Sequence, residues 1–403
     1  MKLSQKLPKW VAVNYALIVY TVIRGFGIAC FMFLIPLYIL SLGYSTADIG
    51  DISTLGALPV FALIPLIGYL VDKGYAPIVL SGSTILLGIA LINPTILPTY
   101  PILVSSYTLL NLSMYMWMPS RTKLVAETVP AEKLGKTYGL FTIAFNASRT
   151  ATPLILGGLT SVYGYRALLL TSGSILLLSS MILYPYIRGR GIASNSRELS
   201  LVDSYKRLFT RFGWDALPLV LFIGFDVFGW RMWFPLVNAY LKEYKRLGDP
   251  EIGLFTSVLG FSMLLTGYFA GVLTDRLTPK RALVVYELIG VVGVILLAFT
   301  EYPVVYLSAS FLGFSIAFWV TAYNSLVTLV YGYESIGRVR ALTDTTRSIV
   351  GIPAPKMGGY LLTLNPVLPF TVSIVFMLLA IIPVSLVKIR GGLVPREERE
   401  PEI

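Results

Sequence analysis

One short punctuation mark occurs twice in this chain. Gly68-Tyr-Leu-Val-Asp72-Lys73 closes a long apolar run, and Gly271-Val-Leu-Thr-Asp275-Arg276 closes another. Ile49-Gly50, ahead of the first, returns as Ile252-Gly253 ahead of the second, and every corresponding pair is 203 residues apart. In a chain of 403 residues that offset is half the length, so the chain is a duplicated unit. In each copy a glycine thins the end of the run so that a neighbour can approach. The acid–base pair then stops the run, because charge is costly in hydrocarbon. Lys280 and Arg281 follow the second copy and hold a short loop on one side.

The chain is 56% hydrophobic and 13% charged, with a mean hydropathy of +0.75. A soluble protein of this length needs a far more polar surface. A membrane-spanning helix takes roughly 20 apolar residues, so there is room for about twelve with short loops. The runs predict helices 1 to 12 at 11–40, 49–71, 78–92, 101–127, 137–163, 167–187, 216–241, 252–274, 282–300, 304–331, 340–364 and 368–387. The expected fold is an all-α membrane protein with two pseudo-symmetric six-helix bundles, 1–187 and 215–388. The polar, basic stretch 188–214 reads as a cytoplasmic linker, and 389–403 as a cytoplasmic tail.

A net charge of +11 suggests nucleic acid until the charges are placed. Lys73, Lys133, Lys136, Arg188, Lys206, Arg276, Lys280, Arg281, Arg338, Arg340 and the basic residues of both tails fall in alternate loops and at the ends. The opposite loops carry only Arg166, Lys242, Lys245 and Arg246. That is the positive-inside pattern, and it puts both termini in the cytoplasm of a multi-pass protein of the cell membrane. No soluble face interleaves basic and aromatic residues as a nucleic-acid surface does. Cys30 is the one cysteine, so no internal disulfide can form, and there is no histidine to ligate a metal or relay protons. The scarcity of Gln and Cys hints at a thermophile. No Walker A, H-E-x-x-H or G-x-S-x-G motif is present, so neither ATP drive nor an enzyme is expected, and no cofactor or metal.

The repeated mark resembles G-x-x-x-D-[RK]-x-G-[RK]-[RK], the signature of the major facilitator superfamily between helices 2 and 3. The second copy has Thr278 where a glycine is usual. The first places its glycine one position early, at Gly74, and has Ala76 and Pro77 for the basic pair. Ala126-Glu127-Thr-Val129-Pro130, followed by Gly135-Lys136, is similar to the family's helix 4–5 junction. The resemblance covers nearly the whole chain and implies a twelve-helix secondary transporter. It implies a central cavity lined by helices 1, 4, 7 and 10, with 2, 5, 8 and 11 beside them, and it names no substrate. The superfamily's drug–proton antiporters carry an Arg in the outer half of helix 4, and that place is Tyr107 here. The resemblance also makes Gly68, Asp72, Lys73, Gly271, Asp275, Arg276 and Arg281 a conformational latch. In the outward-open state Asp72 is expected at the start of helix 11, near Arg340, and Asp275 at the start of helix 5, near Lys136.

An ionisable residue inside a membrane helix is a candidate for function. Arg24, Arg149, Asp226, Arg231, Asp344, Arg347 and Lys356 qualify, and bases outnumber acids. Glu287 is expected to pair with Lys280 on helix 9, and Asp344 with Arg347, three residues on. On helix 4, Tyr107, Asn111, Met114, Met118 and Arg121 share one face; on helix 1, Tyr20, Arg24, Phe31 and Tyr38 share another. Helix 7 offers Asp226, Trp230 and Trp233 on one face with Arg231 and Asn238 on a second, and helix 10 offers Trp319, Tyr323 and Asn324.

The expected substrate site is Arg24, Tyr107, Asn111, Arg149, Trp230, Arg231, Trp319 and Asn324. Arg24 and Arg149 are expected to face the cavity, and Asp226 is the expected proton-coupling residue. The expected function is transport of a small solute, an organic anion, with protons as the coupling ion if any. Export of amphipathic or aromatic compounds is the alternative within transport. A non-transporting membrane receptor or assembly protein is the alternative outside it. The expected partners are the solute, protons and the lipid bilayer, with the chain acting as a monomer.

Overall fold

The computed structural model describes residues 9–129, 133–187 and 217–387, and no strand occurs among them. α1 (Lys9–Ser41), α2 (Thr46–Leu70), α3 (Ala76–Ile96) and α4 (Tyr100–Thr128) come first. Leu134–Ile187 holds α5 (134–163) and α6 (165–187), which part at Gly164, where φ is 68°. α7 (217–243) is Leu217–Trp233 and Val237–Glu243, joined by the tighter turn Phe234–Leu236. Pro235 in that turn removes a backbone donor and bends the helix. α8 (Asp249–Leu277) and α9 (Pro279–Phe299) follow.

Val305–Gly351 is continuous in helical hydrogen bonding, yet it is two legs. The Arg347 guanidinium lies 4.3 Å from the centre of the Trp319 ring. A straight helix would hold those positions about 40 Å apart, so the chain folds back between them. These legs are α10 (305–327) and α11 (343–364), the latter bent at 352–353 ahead of Ala354–Leu364. α12 (Leu368–Leu386) ends the described chain.

Eight stretches are long and apolar enough to cross a membrane. Two of them, Thr46–Ile96 and Thr137–Met181, each contain two legs. α4 is missing from the eight because it is polar, and α11 because it is interrupted at 352–353. In α4 that polarity is satisfied in place: Ser106 donates to the Ile102 carbonyl at 3.1 Å and Ser120 to that of Met116 at 2.7 Å. Hydroxyls bonded back onto their own helix need no other partner in hydrocarbon.

The reversal after each punctuation mark is left-handed. The first copy uses Gly74, at φ 93°, and the second uses Thr278, at φ 68° and ψ 144°. The glycine that sits one place early and the threonine in a glycine's place thus both take a positive φ at neighbouring positions, with different ψ, 6° and 144°. A β-branched residue there is strained.

Helices α1–α6 and α7–α12 form two six-helix bundles, and across their boundary α2 lies along α11 and α5 along α8. The repeated Ile-Gly pair explains both contacts. Gly50 rests on Pro355 and Gly359, and Gly253 rests on Pro153 and Gly157, so one contact is made twice about a pseudo-two-fold axis. A Cβ at Gly50 or Gly253 would overlap the facing proline carbonyl. Gly68 and Gly271 lie on the same helix faces five full turns further along, and no described residue comes within 4 Å of where their Cβ would be. The boundary is closed at the end away from Lys9 and Val387.

Polar contacts reinforce the closed end. The Thr46 hydroxyl donates to Glu243, the Tyr165 hydroxyl donates to Asp249 at 2.6 Å, and Lys356 pairs with Asp51 at 3.3 Å. Lys356 therefore belongs to this closure rather than to the middle of the membrane. The expected linker 188–214 and tail 389–403 lie outside the described residues. So do the side chains of Lys136, Asp275, Arg340 and Asp344, which leaves the latch contacts and an Asp344–Arg347 pair undescribed. Asp72 is exposed, and its backbone carbonyl accepts from Lys123 at 2.8 Å. Lys73 lies over the ring of Tyr69, and Arg276 is exposed.

Candidate functional site

A cavity of about 520 Å³ opens at the centre, between the halves. Its wall draws on α1, α2, α4, α5, α7, α8, α10 and α11, and most of it is apolar. The charged side chains that reach it are Arg149, Arg231, Arg347 and Asp226. Tyr107, Asn111, Trp230 and Trp319 stand beside them, with Met32, Met114 and Met263 filling the gaps.

Each polar group is held by its own element or by the one opposite. The Asn111 amide donates to the Tyr107 carbonyl at 2.9 Å, which fixes the side chain and leaves its oxygen as the free end. The Tyr107 ring meets Phe31 edge-on at 5.1 Å. Arg231 passes over Gly351, where any side chain would stand in its path, and reaches toward Tyr115. The Tyr115 hydroxyl in turn bonds the Ser348 hydroxyl at 2.9 Å, tying α4 to α11 across the boundary. Arg347 stacks on Trp319 and Tyr323, with ring centres at 4.3 and 4.9 Å. Arg149 also enters a side pocket of about 60 Å³ that it shares with Asn146 and Asn238. Among the described residues nothing accepts a hydrogen bond from Arg149. Asp226 is buried in the wall, with Arg347 the nearest positive charge to it.

Two expected site residues lie elsewhere. Arg24 does not face the cavity. It is fully buried inside the first half, donating to the Ser83 carbonyl at 3.1 Å and to the Ser113 hydroxyl at 2.9 Å, with its guanidinium 5.7 Å from the Trp117 ring. Tyr20, Arg24, Phe31 and Tyr38 do share one face of α1, but that face turns into the bundle, and α1 presents Ile28, Met32 and Pro36 to the cavity. Asn324 is exposed and off the cavity wall. Trp233 is buried as well, its indole N–H donating to the Ser373 hydroxyl at 3.1 Å.

Glu287 does not pair with Lys280, whose ammonium donates to the carbonyls of Ser385 and Val387 at 2.7 and 2.8 Å. It turns inward instead, beside Asp226. Sequence reading missed Arg347 as a cavity residue because Asp344 three positions earlier offered it a partner; an arginine opposite the tryptophan-bearing face of helix 10 was the signal.

Two six-helix bundles around a central, mostly apolar cavity with charged groups in its wall, closed at one end, define a secondary membrane transporter. The sequence profile of the Major Facilitator Superfamily matches residues 17–355, and the chain belongs to that family. It is an integral membrane transporter and not an enzyme. Among curated relatives, the multi-drug resistance efflux pump PmrA of Streptococcus pneumoniae is 26% identical over 353 residues, 84% of this chain and 86% of that one. The multidrug resistance protein MdtG of Salmonella typhimurium is 23% identical over 253 residues, 60% of this chain and 61% of that one. Among solved structures, a bacterial homologue of the iron transporter ferroportin in an inward-facing state aligns with a TM-score of 0.74 at 16% identity, over 93% of this chain and 98% of that one. The xylose transporter XylE from E. coli aligns with a TM-score of 0.70 at 16% identity, over 94% and 98%.

Proposed function

We propose that the chain moves amphipathic organic anions across the cell membrane by alternating access, as a monomer with both termini in the cytoplasm. The observation that supports this most directly is the charge of the cavity. Arg149, Arg231 and Arg347 face one space in which the only carboxyl among the described wall residues is Asp226. Excess charge at that depth must be solvated or matched, and an anionic substrate matches it. Trp230, Trp319, Phe234 and the methionines supply an apolar wall that adapts to an aromatic or aliphatic body. Asp226 is the group through which protons couple to the cycle.

The test is uptake of radiolabelled 1-naphthalenesulfonate into proteoliposomes. Arg149→Ala should fold and lose uptake by about ten-fold or more, the loss of one charge-assisted hydrogen bond of roughly 1.5–3 kcal/mol. A second reading is export of amphipathic compounds of either charge. The names of the PmrA and MdtG relatives favour it, and Tyr107, where drug–proton antiporters carry an Arg, counts against it. Transport of tetraphenylphosphonium as fast as naphthalenesulfonate, untouched in Arg149→Ala, would establish the second reading over the first.

A further inference from the structure

Glu287 has no part in the transport scheme so far. It sits on α9, a helix that contributes no residue to the cavity wall. Its side chain nevertheless turns into the second bundle and is 1% exposed. Neither of its carboxyl oxygens accepts a hydrogen bond from a described residue. Opposite stands Asp226 of α7, 4% exposed, with its Oδ1 also unpartnered. The two carboxyls are near enough to act on one another.

Two other groups act on the pair. Arg347 of α11 places its positive charge on the Asp226 side, and the indole N–H of Trp319 on α10 points to Glu287. That N–H is buried and makes no hydrogen bond to a described residue. α8 and α12 also pack here, and among the described residues neither brings a further charge to the pair.

We infer that Asp226 and Glu287 work as one proton-binding pair, with Glu287 the second carboxyl of the coupling site. The inference rests on the assignment of Asp226 to proton coupling made above. Two carboxylates side by side and out of water cannot both be ionised, so their repulsion holds a proton between them. Arg347 opposes that proton by stabilising the charged pair. The step is simple to balance. A proton from cavity water adds to a carboxylate oxygen of Asp226, is shared with Glu287, and leaves by the same carboxyl; no other bond forms or breaks.

Trp319 and Arg347 connect this pair to the substrate. The Trp319 ring is cavity wall, Arg347 stacks on it, and the indole stands beside Glu287. An anion that pairs with Arg347 withdraws the charge that opposes the proton. Anion and proton therefore bind together, and each strengthens the other.

Full-length protein in proteoliposomes tests this with two readouts. The first is accumulation of 1-naphthalenesulfonate under an imposed pH gradient, set against exchange of the same compound without a gradient. Glu287→Gln leaves Asp226 with Arg347 alone, so exchange should persist and gradient-driven accumulation should vanish. Glu287→Asp keeps two carboxyls and should retain accumulation. Wild-type accumulation in Glu287→Gln would overturn the inference. Joint loss of exchange and accumulation in both variants would show a structural role and overturn it as well.

The second readout needs no substrate, so it stands even if the organic-anion reading fails. The infrared carbonyl band of a protonated, buried carboxylic acid should titrate in the wild type and be absent in Glu287→Gln. In Asp226→Asn it should be present but no longer titrate, because Glu287 is then sealed from the cavity. A band that titrates unchanged in Glu287→Gln would assign the proton to Asp226 alone. If Glu287→Gln fails to fold, Asp226→Asn decides: a titrating band there would show that the two carboxyls are not a unit.

Discussion

Arg24 and Arg149 are the same residue type at similar depth in their helices, and the protein uses them in opposite ways. Arg149 faces the cavity with no acceptor among the described residues, whereas Arg24 spends its donors on a carbonyl of α3 and a hydroxyl of α4. No carboxylate lies near Arg24 among the described residues. A buried charge held only by neutral acceptors is costly to desolvate, and an apolar residue of similar volume is often neutral or stabilising by about 1–4 kcal/mol. Arg24→Met should therefore keep the fold, with a melting temperature in detergent equal to or above that of the wild type, and should keep transport. Loss of transport with unchanged melting would return Arg24 to the transport path. Residue type and depth were legible in the sequence here. The side of α1 that met the cavity was not, because lipid and protein interior are equally apolar and a stripe at helical spacing does not say which of the two it faces. The partners that settle it, Ser83 and Ser113, lie on other helices.

α2 and α8 make contacts between the two halves, and their glycines distinguish one end of each helix from the other. Gly50 and Gly253 press on a proline carbonyl and a glycine of the opposite half, while Gly68 and Gly271, on the same faces, meet no described residue. Overpacking a tight contact costs roughly 1–3 kcal/mol, enough to shift an equilibrium between two states of similar energy. Gly253→Val should hold the closed end apart and leave the bundles intact. In a Cys30→Ala background, a cysteine at Ala57 on the cavity wall reports this through its labelling rate by an impermeant thiol reagent applied to the face distal to the termini. The rate should rise in Gly253→Val and stay unchanged in Gly271→Ala. An unchanged rate in Gly253→Val would remove the contact from the gate. The repeat itself was legible, as Ile49-Gly50 against Ile252-Gly253. Its partners were not, since Pro153 with Gly157 and Pro355 with Gly359 lie at an offset of 202 rather than 203. The helix-9 position of Glu287 misled for a related reason: a peripheral helix still has an inner face, and charge spacing within one helix cannot show what the next helix brings to it.

At the scale of the whole molecule, the two bundles close at one end through contacts that all join one half to the other. Thr46 meets Glu243, Tyr165 meets Asp249, and Asp51 meets Lys356. Asp249 is further held by Lys242 at 2.7 Å, so two of the few basic residues on this side, Lys242 and Lys356, serve the closure. The even spread of twelve apolar runs and the half-length repeat made the architecture readable from sequence, because each helix satisfies its own backbone in lipid. The cavity was half readable: its helices followed from the family resemblance, but which arginine entered it depended on helix rotation. Exposed ion pairs contribute little individually, about 0–1 kcal/mol, so Lys356→Ala alone should slow transport only slightly. Joining the same two positions covalently is a different perturbation, because it removes one of the two states altogether. In the Cys30→Ala background, Asp51→Cys with Lys356→Cys bridged by a short bis-maleimide should abolish naphthalenesulfonate uptake, while each single cysteine treated with the same reagent keeps it. The bridged protein should still bind the anion from the side of the termini, seen as a rise in its melting temperature, because the bridge leaves that end free to part. Uptake that survives complete bridging would show that this end never needs to part, and that the transport route through the cavity is wrong.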